Sequence, residues 1–347
     1  MAKKKQFISD YSAKRIGDLI EEVLNNAEQH KWQKPWVNVG MMDTPCRNID
    51  RPDPYQGVNE GLLSLVMSVK NYRTPLFLTG DKARDMGLSI KKKADGKREE
   101  AWPVFKWLHF IYDKDRNRIT YEQFFDLDYE DQQQCRDRWS LRGYLVYNID
   151  QTTMKEDLPK TYEKFVALYP DTTEGMKAEE DAQDEALDYI LNTEGAWRCP
   201  IHHQLGDRAC YSYSLDFSAE SICLPMRDQF KTVSAYYGTA LHEMAHSTKG
   251  DPKMRRDYGG KSFGSEGYAL EELVAEFTAA FVGCDRGHTK TIDEEHIAYV
   301  QSWRKAIKKK DIVSTIVDDL MRATNYEIRI LRETDEMLAK QPTKIAA

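Results

Sequence analysis

Apolar residues recur at helical spacing over residues 12–30, at Ile16, Leu19, Ile20, Val23 and Leu24, which predicts an amphipathic helix that Pro35 prevents from running on. A turn-rich stretch with Pro45, Pro52, Pro54 and Gly57 follows, then a second helix over 59–70. Residues 75–78 read as a short strand leading into a helix over 81–86. The segment from Lys91 to Arg98 reads as a basic hairpin, and the alternating aromatic and β-branched runs at 101–112 and 143–149 read as strands of a small sheet. Residues 150–182 are polar with Pro159, Pro170 and Gly175, so the interdomain connection is expected there. Beyond it the pattern predicts a helix over 182–192, short strands at 199–203, 209–213 and 221–224, a long helix over 232–248, and a mainly helical remainder from Ala269. The strand at 221–224 is the expected sheet edge on which an extended substrate would pair.

A length of 347 residues exceeds what one hydrophobic core usually organises and suits two domains. Hydrophobic residues at 41% supply those cores and exclude wholesale disorder. There is no run of about 18 apolar residues and no apolar segment behind the basic N-terminus, so the expectation is a soluble cytoplasmic protein without membrane contact. Six scattered cysteines without a CxxC pair point to reduced thiols. The net charge of -7 is uneven: residues 1–120 carry +6 and the remainder -13. A basic first part joined to an acidic second part suggests a polyanionic partner for the first.

The densest chemistry is His242-Glu243-Met244-Ala245-His246 in the predicted helix 232–248. Histidines four apart on a helix are offset by about 40° and can reach one ion, with the intervening glutamate beside the open coordination position. Downstream, Glu272 and Glu276 are again four apart in an apolar helical run, and their spacing resembles the gluzincin arrangement. There the first glutamate binds zinc and the second orients a liganding histidine. Glu271 is a competing ligand. His202 and His203, adjacent on a strand, point to opposite faces and do not easily share an ion.

These residues resemble the zincin-like metallopeptidase domain of ArdC-type antirestriction proteins and of polyvalent proteins of mobile elements. The likeness runs through Ala209-Cys210-Tyr211, Asp216, Ile222-Cys223-Leu224-Pro225, Phe230, Tyr236-Tyr237, the HEMAH core, the EELVAE helix and the segment around Trp303. The first half resembles the single-stranded-DNA-binding domain of the same family through WQKPW at 32–36, Pro45, Asn48, Tyr55, Gly57, Asn59, Thr79, Gly87 and YLVYNIDQT at 144–152. The basic segment is more broken by acids than that family's pattern, at Asp95, Glu99 and Glu100. The resemblance implies protection of incoming plasmid or phage DNA from host endonucleases.

Independently of the family, a single-strand groove needs cations for phosphates and aromatic faces for bases. Trp32, Lys34, Trp36, Arg47, Lys91, Lys92 and Lys93 are the candidate DNA contacts. The expected fold is α+β: a small α/β nucleic-acid-binding domain at 1–150, a linker at 151–180, and a mostly helical zincin-like domain with a small sheet at 181–347. One Zn²⁺ is expected on His242, His246 and Glu272, with Glu276 behind a histidine. Glu243 is expected as general base in peptide hydrolysis, and Tyr258 or Tyr268 as a possible oxyanion donor. The expected partners are single-stranded DNA and a protein substrate from the host's defences or the element itself. The competing reading is a DNA-binding protective protein whose zinc domain is structural. No phosphate-loop or dinucleotide glycine motif supports a nucleotide-driven mechanism.

Overall fold

The computed structural model describes residues 9–29, 45–169, 182–259, 265–288 and 310–340. The fold is mixed α+β. Helix α1 (Asp10–Gln29) is followed by the short strand β1 (Arg47–Asn48), α2 (Val58–Lys70), β2 (Leu76–Thr79) and α3 (Gly80–Asp85), which Thr79 caps through its hydroxyl. Strands β3 (Trp102–Tyr112), β4 (Arg118–Ile119) and β5 (Arg136–Asn148) complete a sheet of order β1-β2-β5-β3-β4. It is antiparallel apart from the β1–β2 pair. Two small helices, α4 (Tyr121–Phe125) and α5 (Tyr129–Gln134), lie between β4 and β5.

The strand expected over 143–149 is thus thirteen residues long. Its first half is rich in arginine, which hid it. The connection expected from residue 151 also starts later. Helices α6 (Met154–Asp157) and α7 (Pro159–Leu168) bury Met154 and Tyr162 in a cluster with Leu76, Leu78 and Ile149, so this segment belongs to the first sheet's packing.

In the second half, α8 (Glu185–Asn192) precedes a three-stranded sheet of β6 (Ile201–Gln204), β7 (Cys210–Tyr213) and β8 (Glu220–Pro225), in the order β6-β8-β7. The strand expected at the edge is therefore the central one. Its buried Ile222 and Leu224 pack on the helical side, a face alternation that edge and centre strands share. Helices α9 (Val233–Ser247), α10 (Glu266–Asp285) and α11 (Lys310–Lys340) follow.

Helix α10 organises the molecule because it is apolar on nearly all sides, the signature of a helix with no solvent face. Leu270, Leu273, Val274, Phe277 and Phe281 enter a core with Ile16, Leu19 and Ile20 of α1, Leu62, Leu63 and Val66 of α2, and Ile316, Val317 and Leu320 of α11. Its Ala279 and Val282 join a second core with Tyr237, Ala240, Leu241 and Met244 of α9. The two halves of the sequence therefore share one hydrophobic core, which a reading as separate domains did not anticipate. Gly61 allows the closest approach: a Cβ there would lie 2.7 Å from ring atoms of Phe281. Asp285 accepts from the Gly57 amide at 2.6 Å and from Arg332 at 2.8 Å, tying the ends of α2, α10 and α11 together.

Candidate metal centre

Helix α9 starts at Thr232, whose hydroxyl accepts from the Ala235 amide at 3.1 Å, and it is buried over almost its whole length. Its far end is clamped. Arg198 donates to the Ser247 carbonyl at 2.6 Å, and Trp197 donates to the Ser247 hydroxyl at 2.9 Å. Helix α10 starts at Ser265, which caps the Tyr268 amide at 3.2 Å. At Gly267 the two helices' connection presses on the backbone, since a Cβ there would lie 1.3 Å from the Gly259 carbonyl oxygen. Gly267→Ala must therefore move either the helix start or the loop that carries Arg256, at a cost of about 1–3 kcal/mol or more. We expect a lowered melting temperature together with weakened metal binding; an unchanged melting temperature would show that the loop yields freely.

The crossing of α9 and α10 brings His242, His246 and Glu272 together, each less than a tenth exposed. The His242 and His246 Nε2 atoms lie 3.1 Å apart. Glu272 places its Oε2 at 3.3 Å from His242 Nε2 and its Oε1 at 3.4 Å from His246 Nε2. On the other side of each ring, His242 Nδ1 faces Glu276 at 3.0 Å and His246 Nδ1 faces Glu271 at 3.1 Å. A carboxylate only accepts, so each Nδ1 carries a hydrogen, and with both rings neutral each Nε2 is left with a lone pair. Lone pairs on two rings and a carboxylate then converge with no hydrogen between them. That arrangement is repulsive unless a cation, a proton on one ring or a metal ion, lies among them, and donors about 2.0–2.1 Å from a tetrahedral ion stand about 3.3 Å apart, the separation seen here. The donor set fits a divalent metal ion.

Charge tells the same story. Burial alone would suppress a charge on His246, but the Glu272 and Glu271 carboxylates outweigh it and raise its pKa to about 9. Burial also opposes charge on Glu271, yet Arg256, Lys249 and His246 hold its carboxyl well below the usual range. Glu272 is held low by His246 and His242 against the same burial penalty. The pocket is thus built around negative charge that seeks a cation.

One residue outside the expected set completes this arrangement. Arg256, almost wholly buried, donates to both Glu271 oxygens at 2.8 and 2.9 Å, to the Ala245 carbonyl at 2.9 Å and to the Thr248 hydroxyl at 2.8 Å. It fixes Glu271 behind His246 and ties it to the end of α9. A lone arginine between two motifs carries no periodic signal, so the sequence did not reveal it. Glu243 is 8% exposed and makes no hydrogen bond or ion pair with another described residue. Tyr258 gives its hydroxyl to Asp319 at 2.9 Å. His203 bonds the Tyr236 hydroxyl at 2.8 Å while His202 is exposed, on opposite faces of β6.

The expected DNA contacts fall elsewhere. Trp32, Lys34 and Trp36 lie outside the described residues. Arg47 donates to the Pro52 carbonyl at 3.0 Å and stacks over Tyr169. Lys91 pairs with Glu156 at 3.2 Å and Lys93 with Glu100 at 2.8 Å, while Lys92 is exposed in the hairpin. Phosphates would have to compete with these carboxylates.

An HExxH helix crossed by a second helix bearing glutamates defines a zincin-like metalloprotein, and residues 185–330 match the family model for a zincin-like metallopeptidase. Residues 11–147 match the N-terminal domain of anti-restriction factor ArdC. In this order and over most of its length, the chain thus carries an ArdC-type N-terminal domain followed by a zincin-like metallopeptidase domain. A DNA primase TraC of Escherichia coli is 28% identical over 317 residues, covering 89% of this chain and 26% of the primase. A second TraC primase from that organism is 43% identical over 128 residues, covering 37% of this chain and 8% of the primase. The chain thus spans about a quarter or less of the length of these relatives. The uncharacterized protein y4eC of Sinorhizobium fredii is 24% identical over 280 residues, covering 80% of this chain and 78% of y4eC. The Mn(II)-bound crystal structure of the antirestriction protein ArdC from plasmid R388 superposes with a TM-score of 0.53 at 22% identity, over 93% of this chain and 97% of that one. That likeness is one of fold. No described helix is long and apolar enough to cross a membrane.

Proposed function

We propose that the chain is a zinc-dependent peptide hydrolase carried on a protein that binds incoming single-stranded DNA of a mobile element in the cytoplasm and shields it from host restriction. The observation that carries the hydrolase reading is the convergence of His242 Nε2, His246 Nε2 and Glu272, with Glu243, unpaired among the described residues, next to His242 in the same helix. His242, His246 and Glu272 hold the ion, and Glu276 and Glu271 hold the two rings. When bound, zinc supplies Lewis-acid polarisation of a water and of the scissile carbonyl. Glu243 takes the proton from the attacking water and returns it to the leaving amine. The edge strand β7, antiparallel to β8, offers backbone groups to an extended peptide. The DNA-binding part of the reading rests on the match of residues 11–147 and on the excess of basic residues in the first 120.

The shared core favours a second reading, in which the ion is structural. Glu272 and Glu276 sit on the helix that also joins the two halves, so a bound ion would brace that core as well. Incubating full-length protein with unfolded protein substrates, with and without a chelator, separates the two. Cleavage that the chelator stops and added zinc restores supports hydrolysis; a chelator-lowered melting temperature with no cleavage under any condition supports the structural ion.

Ligand and supporting glutamates should also separate. Glu272→Ala is expected to remove measurable zinc at micromolar concentration, whereas Glu276→Ala and Glu271→Ala should weaken it about 10- to 100-fold by releasing a ring. Isothermal titration checks the order, and a greater loss in Glu276→Ala or Glu271→Ala than in Glu272→Ala would move the third ligand.

A further inference from the structure

The β3–β5 pair runs in one uninterrupted register from Trp102↔Val146 to Tyr112↔Arg136. Directly opposed residues share a face, and faces alternate along each strand. Near the base this face is buried through Trp102, Val104 and Val146. Beyond it the ribbon leaves the core, and the same face presents Lys106 opposite Arg142, Phe110 opposite Arg138 and Tyr112 opposite Arg136. Lys106, Arg136, Arg138 and Arg142 are all exposed, and among the described residues none pairs with a carboxylate. Arg118 joins them from β4, opposite Tyr112, with its guanidinium 4.4 Å over the Phe110 ring. Tyr144, on the same face opposite Val104, is 44% exposed. From Lys106 to Tyr112 the face is about 20 Å long.

The one acidic residue of the paired strands, Asp137, lies behind it. His109 is on the opposite face, where it contacts Asp137 at 3.1 Å and the Tyr121 hydroxyl of α4 at 2.5 Å, so α4 packs on the back of the ribbon. One face of the paired strands thus carries cations without a carboxylate partner among the described residues, interleaved with aromatic rings, and their single acid is on the other. This is the pairing of phosphate-binding charge and base-stacking surface that single strands require, whereas the Lys91–Lys93 segment is partly neutralised by Glu156 and Glu100.

We infer that this outer face of the β3–β5 ribbon is the surface along which single-stranded nucleic acid runs, with Arg136, Arg138 and Arg142 on phosphates and Tyr144 beneath a base. The inference rests on the DNA-binding part of the proposed function, and its test keeps the two apart. Binding of full-length protein to a fluorescent 30-nucleotide single strand, and to the corresponding duplex, is measured over a range of salt. Circular dichroism and zinc content confirm that each variant is folded. The triple variant Arg136→Gln, Arg138→Gln, Arg142→Gln should lose more than about 100-fold in affinity for the single strand and shallow the salt slope by about 2, from about 0.7 per phosphate contact. Tyr144→Ala should lose about 5- to 150-fold with the slope unchanged, as expected for one stacked base. Lys91→Gln with Lys93→Gln should stay within a few-fold of wild type. If wild type binds neither nucleic acid, the DNA-binding reading itself fails. If wild type binds and the triple variant binds equally well, the ribbon surface is wrong while that reading stands. An equal loss for duplex and single strand would overturn the assignment to single strands.

Discussion

Glu243→Gln should keep one metal ion per chain and lose peptide hydrolysis by about 10²–10⁴-fold. The amide preserves the size and polarity of a side chain that is 8% exposed and unpartnered among the described residues, so folding and the donor set of His242, His246 and Glu272 are untouched. What it removes is the basic oxygen that takes a proton from water, a contribution of that order in proton-transfer catalysis. Zinc content and turnover measured on the same preparation check the result. Loss of the ion would make Glu243 a ligand, and unchanged turnover would place the base elsewhere.

Phe281→Ala should cost about 3–5 kcal/mol and lower the single melting transition of the whole chain by roughly 4–7 °C. Phe281 is fully buried, packs against α2 at the Gly61 notch, and stands on the helix that carries Glu272 and Glu276. Truncating it opens a cavity between the first and second halves of the sequence, so both should be weakened together. Calorimetry in which only one of two resolved transitions moved would show that the halves fold as independent units. For the same reason, a fragment ending near residue 150 would bare Leu62, Leu63 and Val66 of α2, and binding experiments belong on the full chain.

Much of this was legible in the sequence, and the failures have physical causes. The histidine helix could be read because four-residue spacing fixes side chains on one face whatever surrounds them, and Glu272 and Glu276 obey the same rule. Glu271 and Glu272 could not be told apart, since neighbours on a helix differ by about 100° and only the crossing with α9 decides which faces the Nε2 atoms. The structure turns Glu272 there and Glu271 to the back of His246. The apolar run of α10 announced a buried helix but not its neighbours, because hydrophobic pattern encodes burial and not partner. Arg136, Arg138 and Arg142 do keep a period of two, yet arginines in a polar run look like a loop until the pairing with β3 is known. Residues 154–168 looked like a linker because Tyr162 and Met154 are isolated apolar positions in a charged stretch, and only their packing on β2 makes them core.

The central claim is that three side chains on two crossing helices form one metal centre, and metal stoichiometry tests it most directly. Wild-type protein, stripped and titrated with zinc by calorimetry, should bind one ion per chain. His242→Ala and His246→Ala, shown to be folded by circular dichroism, should bind none at micromolar concentration, since three protein ligands leave no redundancy. A folded His242→Ala or His246→Ala protein that still took up one zinc ion with wild-type affinity would contradict the account.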